Sequence, residues 1–143
     1  MKISIPLITT AALFLAGMSG HAMAEQQRLF VTVTGTDVQD RAMPLVLANQ
    51  VLDQGAEVRV LLCGAGGHLA LAGYEAERFA PRDITPVDLL NRLMANGATV
   101  EVCAIFLPNS GHSADELREG IGIASPPDVA TWMMSPGTRL FSH

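Results

Sequence analysis

Short apolar runs alternate with helix-start signatures along most of this chain, and this alternation constrains the fold more than any other feature. Three of the runs, RLFVTVTG, AEVRVLLCG and TVEVCAIFL, are rich in β-branched residues, as buried strands are. Two shorter runs near the carboxyl terminus, IGIA and TRLF, predict further strands. Strands that alternate with helices form a parallel sheet covered on both faces. The sequence therefore predicts a three-layer α/β/α sandwich around a mainly parallel, five-stranded sheet.

The predicted helices begin at recognisable caps. Thr85 is the cap of the clearest one, with Pro86 and Asp88 in its first turn, and Asn96-Gly97 marks its end. The other predicted helix starts are Asp40, with Pro44 at the edge of the first turn; Ser113, with Glu116 completing a capping box; and Ser125, followed by Pro126 and Asp128.

The first 24 residues have the pattern of a signal peptide. Lys2 supplies a positive charge, IPLITTAALFLAGM an apolar segment, and Ala22-Met23-Ala24 a cleavage site. The alternative is a retained membrane anchor, but the apolar run from Ile3 to Met18 is shorter than the roughly 20 residues that span a bilayer. We expect residues 1–24 to be removed and residues 25–143 to form a single domain in the periplasm.

The charge of the mature chain excludes several classes of partner. Without Lys2, eight arginines face 14 acidic residues, which gives a net charge of −6. An acidic chain with no basic run is unsuited to nucleic acids and to anionic membrane surfaces. We therefore expect no nucleic-acid partner and no membrane association after processing.

The two cysteines fall at or near the predicted carboxyl ends of strands, where ligands gather in open α/β sheets. Cys63 is followed by the glycine-rich segment Gly64, Gly66 and Gly67, and then by His68. The glycines have two interpretations: exposed backbone N–H groups that bind a small anion, and a tight turn that needs small residues, which the usual role of glycine favours. Cys63 and His68 are only two ligands, so we expect no metal and no other cofactor.

Cys103 has three interpretations from the residues alone: a buried apolar filler, a reactive thiol, or one half of a Cys63–Cys103 disulfide. Strand alternation predicts that Glu101, Cys103 and Ile105 point to the same face of the sheet. The carboxylate of Glu101 indicates that this face is partly open or covered by another subunit. That carboxylate would raise the pKa of the thiol, whereas the helix start predicted at Ser113 would lower it.

Four segments together resemble the DsrE/DsrF-like family: FVTVTG, GAEVRVLLCGAGG, TPVDLLNRLMANGATVEVCA and GIGIASPPDVATWMM. The resemblance covers residues 28–141, and its most specific element is the helix that ends in Asn-Gly before a cysteine-bearing strand. It implies a three-layer α/β/α domain with a five-stranded, mainly parallel sheet, often assembled as trimers or hexamers.

In the sulfur-relay members of that family, a cysteine after the third strand accepts sulfane sulfur as a persulfide, and Cys103 matches it here. The resemblance thus implies an exported sulfur carrier whose partners are a donor and an acceptor, each a thiol protein or a small sulfur compound. Cys63 becomes a candidate resolving or disulfide partner. The alternative is a non-catalytic oligomeric binding or scaffold module with the same fold.

Overall fold

The computed structural model describes residues 25–143, so the predicted signal peptide lies outside the described residues. The strands are β1 (Arg28–Val33), β2 (Glu57–Leu62), β3 (Thr99–Val102), β4 (Gly122–Ile123) and β5 (Thr138–Ser142). The helices are α1 (Val38–Asp53), α2 (Pro86–Ala95), α3 (Phe106–Ser110) and α4 (Pro126–Met133), with 3₁₀ helices at Gly64–Ala70 and Ala114–Glu116. Among these helices, none is long and apolar enough to cross a bilayer.

The five strands form one parallel sheet in the order β4-β3-β2-β1-β5. From β1 the chain moves outward through β2, β3 and β4, and the last strand returns to the free side of β1. A connection between parallel neighbours must cross the sheet from end to end, which explains why a helical segment stands between each pair of strands. The predicted α/β fold with a mainly parallel, five-stranded sheet is confirmed.

One face of the sheet forms the core with α1 and α2. Along β1, β2 and β3 every second side chain points to this face, and in-register partners such as Val31 and Val60 stack across the strands. Each such valine or leucine contributes about 1.5–3 kcal/mol by leaving water. The helix side chains in the same cluster have no exposed surface: Leu45, Ala48, Leu90 and Leu93.

The other face is covered by α4 and only in part. Trp132 of α4 packs on Phe30 of β1 with ring centroids 5.8 Å apart, and Phe30 is 3% exposed. No residue of α4, which is described throughout, is buried. Leu140, the partner of Phe30 on β5, is 58% exposed. The third layer of the sandwich is therefore thin, and this sheet face is open along β5.

Local sequence determines the start of α2 as predicted. The Thr85 hydroxyl accepts a hydrogen bond from the Asp88 N–H at 3.1 Å, and the Asp88 carboxylate accepts one from the Thr85 N–H at 2.8 Å. The bond from the Thr85 N–H, followed by one from the Thr85 hydroxyl, holds the pKa of the Asp88 carboxylate below its usual value. Asn96 follows the last helical residue, as predicted.

The predicted start of α1 is wrong by one turn. The cap is Asp37 rather than Asp40, because the Asp37 carboxylate accepts hydrogen bonds from the N–H groups of Gln39 and Asp40 at 2.8 and 2.9 Å. Pro44 therefore lies inside the helix, not in its first turn. Proline has no backbone N–H, so the carbonyl of Asp40, four residues earlier, has no hydrogen-bond partner within the helix.

The third predicted strand is too long. β3 ends at Val102, and the Phe106 N–H donates to the Cys103 carbonyl at 2.9 Å, which turns the chain into α3. Ile105 does not continue a strand face; it precedes α3 and is 69% exposed. The capping box at Ser113 is present, but it opens a 3₁₀ helix of three residues. So short a segment has no helix dipole able to lower the pKa of a thiol.

An ion pair lies on the thinly covered sheet face. Arg59 of β2 and Glu101 of β3 approach to 2.6 Å, and their side chains are only 11% and 16% exposed. The predicted orientation of Glu101, away from the core residues Val100 and Val102, is confirmed. Its carboxylate is tolerated mid-sheet because the guanidinium of the neighbouring strand neutralises it.

We expect Glu101→Ala to lower the free energy of unfolding by about 2–3 kcal/mol, because it leaves Arg59 charged and unpaired with little water. Urea denaturation would measure the loss. Glu57→Ala is the matched control: its pair with Arg28 has 30% and 47% exposed side chains, so the change should be at most about 1 kcal/mol. Equal losses in the two variants would contradict the prediction.

Candidate functional site

Two cysteines meet at the carboxyl edge of the sheet. Leu62 and Val102 are partners in the parallel register of β2 and β3, so the residues that follow them, Cys63 and Cys103, lie side by side. The ladder continues by one residue, since the Cys63 N–H donates to the Val33 carbonyl at 3.0 Å and the Cys103 N–H to the Leu62 carbonyl at 2.8 Å. Both thiols are free and half-buried. We call them the thiol pair.

The Cys63 thiol of this pair is a very weak acid. Burial raises the pKa of Cys63 to about 12, with further contributions from a hydrogen bond to Cys103 and from the charge of Cys103. A hydrogen bond raises the pKa of a thiol when that thiol is the donor, because the bond stabilises the protonated form. Cys63 therefore remains protonated at neutral pH.

The glycine-rich segment after Cys63 is held by close packing. A Cβ on Gly66 would lie 2.2 Å from the carbonyl oxygen of Val33, and one on Gly67 would lie 2.4 Å from the ring of Phe106. The Gly67 N–H already donates to the Cys63 carbonyl at 3.2 Å. Glycine at positions 66 and 67 thus lets this 3₁₀ helix lie directly on the end of β1 and beneath α3.

His68 ends this segment and lies among other rings. Its imidazole is 5.2 Å from the ring of Phe106, 5.8 Å from Tyr74 and 6.4 Å from His112, measured between centroids. The structure thus brings the predicted residue His68 to the same edge of the sheet as the thiol pair. His112 joins the cluster from the turn after α3.

Two clefts meet at His68. The first has a volume of about 480 Å³, and Gly64, the residue after Cys63, is part of its lining, although neither cysteine is; it is lined by Gly64, His68, Ile105, Phe106, Asn109 and Ser110. The second is also about 480 Å³ and lies between His68, Tyr74, His112 and Glu116. A larger cleft, about 550 Å³ between α1 and residues 77–80, is lined by no histidine and by no residue next to either cysteine. The volume of a cleft therefore does not identify the candidate site.

The His112 ring contacts a carboxylate at the rim of the second cleft. Its Nδ1 is 2.8 Å from a carboxylate oxygen of Glu116. That contact, followed by the N–H of Ser113, holds the pKa of Glu116 below its usual value. Within residues 25–143 no three cysteine, histidine or acidic side chains are grouped to bind a metal.

Two arginines that the sequence did not single out hold Tyr74 in place. Arg41 of α1 donates to the Tyr74 hydroxyl and to the carbonyl of Thr36, the latter at 2.9 Å. Arg118 donates to the Tyr74 carbonyl at 2.7 Å, and burial lowers its pKa. Neither guanidinium has a carboxylate partner among the described residues.

No family model matches the chain, and no curated protein matches it as a relative. Solved structures do match it in fold. YchN from E. coli superposes with a TM-score of 0.69 at 19% identity, over 82% of this chain and 99% of YchN.

Two further matches are proteins of unknown function. MTH1491 from Methanobacterium thermoautotrophicum gives a TM-score of 0.60 at 17% identity, over 82% of this chain and 100% of that protein. BT1422 from Bacteroides thetaiotaomicron gives 0.59 at 19% identity, over 85% and 99%. At these identities the similarity shows a shared α/β fold and nothing more.

We expect iodoacetamide to alkylate Cys103 well before Cys63 in the folded protein at pH 8, because a thiol with a pKa of about 12 holds almost no thiolate there. Peptide mapping by mass spectrometry after a time course would show which cysteine is modified first. In denaturant both cysteines should react at similar rates. Alkylation of Cys63 at the same rate as Cys103 in the folded state would show that Cys63 does not retain its proton.

Proposed function

We propose that this chain is an exported protein of the DsrE/DsrF-like family that carries sulfane sulfur as a persulfide on Cys103. The observation that carries the proposal is the thiol pair, in which the parallel register of β2 and β3 places Cys103 beside Cys63. Three features support it: the family resemblance of residues 28–141, the fold shared with YchN, and the position of both thiols at the carboxyl edge where α/β sheets bind ligands.

Loading begins with the Cys103 thiolate. Its sulfur attacks the outer sulfur of a donor persulfide, R–S–SH, and forms a new S–S bond. The S–S bond of the donor breaks, and its electron pair leaves with the donor as the thiolate RS⁻. The thiolate is the attacking species in such exchanges. The Cys63 S–H stabilises that thiolate before the attack, as a donor to negatively charged sulfur.

A resolving cysteine beside a persulfide has a competing reaction. If the Cys63 thiolate attacked the inner sulfur on Cys103, a Cys63–Cys103 disulfide would form and hydrosulfide would leave. The pKa of about 12 opposes this reaction, because almost no Cys63 thiolate exists at neutral pH to make the attack. Cys63 therefore serves the proposed carrier better as a hydrogen-bond donor than as a nucleophile.

The export part of the proposal rests on residues 1–24 of the sequence. A charged start, an apolar segment and an Ala-x-Ala site are the features that direct a chain to secretion. In the periplasm no reducing thiol pool protects cysteines. A carrier there would receive its sulfur from a donor in the same compartment, either a thiol protein or a small sulfur compound.

We expect brief exposure of the reduced protein to inorganic polysulfide, followed by desalting, to give an adduct of one sulfur atom in the intact mass. Cys103→Ser should abolish the adduct. Cys63→Ala is the matched control and should still load, although its persulfide should be formed more slowly because Cys103 loses its donor. An adduct that persists in Cys103→Ser would contradict the carrier function, as would the lack of any adduct in the wild-type protein.

We also propose that the chain assembles with copies of itself, as trimers or hexamers, through the thinly covered sheet face. Leu140 and Met134 are 58% and 86% exposed, and Leu140 adjoins Phe30 on that face. Parallel sheets normally have both faces covered. This observation also favours the second candidate function, a non-catalytic oligomeric module, which would retain the assembly and lack the persulfide.

Leu140→Glu should shift the protein to a smaller species in light scattering coupled to size exclusion, because a carboxylate would be buried in the proposed interface. Met43→Glu is the control, since Met43 is 53% exposed on α1, on the other side of the sheet. A monomeric wild-type protein, or equal effects of the two substitutions, would argue against assembly through this face.

A further inference from the structure

The thiol pair presents two sulfur atoms on the same side of the sheet. Cys63 and Cys103 directly follow Leu62 and Val102, which are partners in the parallel register of β2 and β3. The backbone of Cys63 is extended, with φ −132° and ψ 162°, so the alternation of β2 continues through it. Residues at the same position of parallel neighbours point to the same face. The hydrogen bond from Cys63 to Cys103 shows in addition that the two side chains interact.

The spacing of the two strands suits an ion held between the two sulfurs. Neighbouring strands lie about 4.8 Å apart. With a metal–sulfur bond of about 2.3 Å, two sulfurs on opposite sides of one ion lie about 4.6 Å apart. The pair can therefore hold a two-coordinate ion without movement of the backbone. The ion would take the place of the hydrogen that now lies between the sulfurs.

The described residues add no third ligand to the pair. Glu101 precedes Cys103 by two positions, but its carboxylate is bound by Arg59 at 2.6 Å. The Nδ1 atom of His68 is bound to the carbonyl of Ala65 at 3.1 Å. Within residues 25–143 no three cysteine, histidine or acidic side chains form a group that could hold a metal. Zinc takes at least three protein ligands, so the pair does not suit it.

We propose that Cys63 and Cys103 together bind one Cu(I) ion as two thiolates. Thiolate sulfur is a soft ligand that selects Cu(I), whereas Mg²⁺, Ca²⁺ and Mn²⁺ prefer oxygen. A coordinating thiol is deprotonated, so binding releases one proton from each cysteine. No electron is transferred, because the ion enters and leaves as Cu(I). The proposal does not depend on the persulfide function, but Cys103 cannot serve both at once.

The ion has a path to the pair from solvent. Both thiols are half-buried rather than enclosed, and Gly64, which follows Cys63, is exposed. The proposed export adds a further argument, since no reducing thiol pool competes for soft metals in the periplasm. A Cu(I) ion that reaches this edge of the sheet would therefore meet two thiols that are already adjacent.

The test titrates the reduced full chain with Cu(I), supplied as its coloured complex with bathocuproine disulfonate in the absence of oxygen. We expect the wild type to withdraw a single Cu(I) ion per chain, measured as a loss of colour and as a gain in native mass. Cys63→Ala and Cys103→Ala should each lose this ion. The wild type should retain no Zn²⁺ after desalting, because the pair supplies only two ligands.

Four results would overturn the proposal. The first is no uptake of Cu(I) by the wild type. The second is uptake by Cys63→Ala equal to that of the wild type, which would show that one thiol is sufficient. Half an ion per chain would place the metal between two copies. Retention of Zn²⁺ would require ligands beyond the pair.

His68→Gln is the matched control, because Cys63 with His68 is the other pair of soft-metal ligands in this segment of the sequence. It should bind Cu(I) as the wild type does, and loss of the ion in this variant would also contradict the two-thiolate site. Loading of Cys63→Ala and His68→Gln by polysulfide shows that both variants are folded. A wild-type protein that binds Cu(I) but takes up no sulfur would refute only the carrier function, and the reverse result would refute only the metal site.

Discussion

The parallel register between β2 and β3 is the constraint on which the rest of the structure depends. It is fixed by the core face, where Val60 opposes Val100 and Leu62 opposes Val102. A slip of one residue would turn these side chains out of the core and bring Arg59 and Glu101 into it. The same register places Cys63 beside Cys103 and Arg59 within reach of Glu101. The burial of apolar side chains on one face of the sheet thus also determines that the two cysteines are adjacent at its carboxyl edge and that Arg59 pairs with Glu101 on the other face.

Those features of the fold that depend on neighbouring residues could be predicted from the sequence. The start of α2 is an example, since Thr85 and Asp88 satisfy each other within one turn. The order of strands and helices followed from the alternation of patterns. α1 was harder, because Asp37 and Asp40 are both suitable caps and only the bonding of Asp37 distinguishes them.

The remainder depended on contacts between distant residues. The apolar sequence of residues 105–107 is typical of the end of a strand. In the structure Phe106 instead begins α3, and its ring packs against Gly67, which has no side chain. The candidate site shows the same limit. Both cysteines and His68 were identified in the sequence, but the adjacency of the two cysteines depends on the pairing of β2 with β3. The hydrogen bonds from Arg41 and Arg118 to Tyr74 join three separate segments of the chain, and no local sequence pattern predicts them.

Cys63 and Cys103 also lie at the two ends of a long crossover. The chain between them contains the 3₁₀ helix Gly64–Ala70, all of α2 and all of β3. A covalent bond between the two sulfurs would close a loop of roughly 40 residues and remove about 4 kcal/mol of loop entropy from the unfolded chain. That is a large share of the 5–15 kcal/mol by which a domain is typically stable. Oxidation of the pair to a disulfide would therefore make the whole sheet more resistant to force and to proteolysis. The stability of the protein would then depend on its redox state.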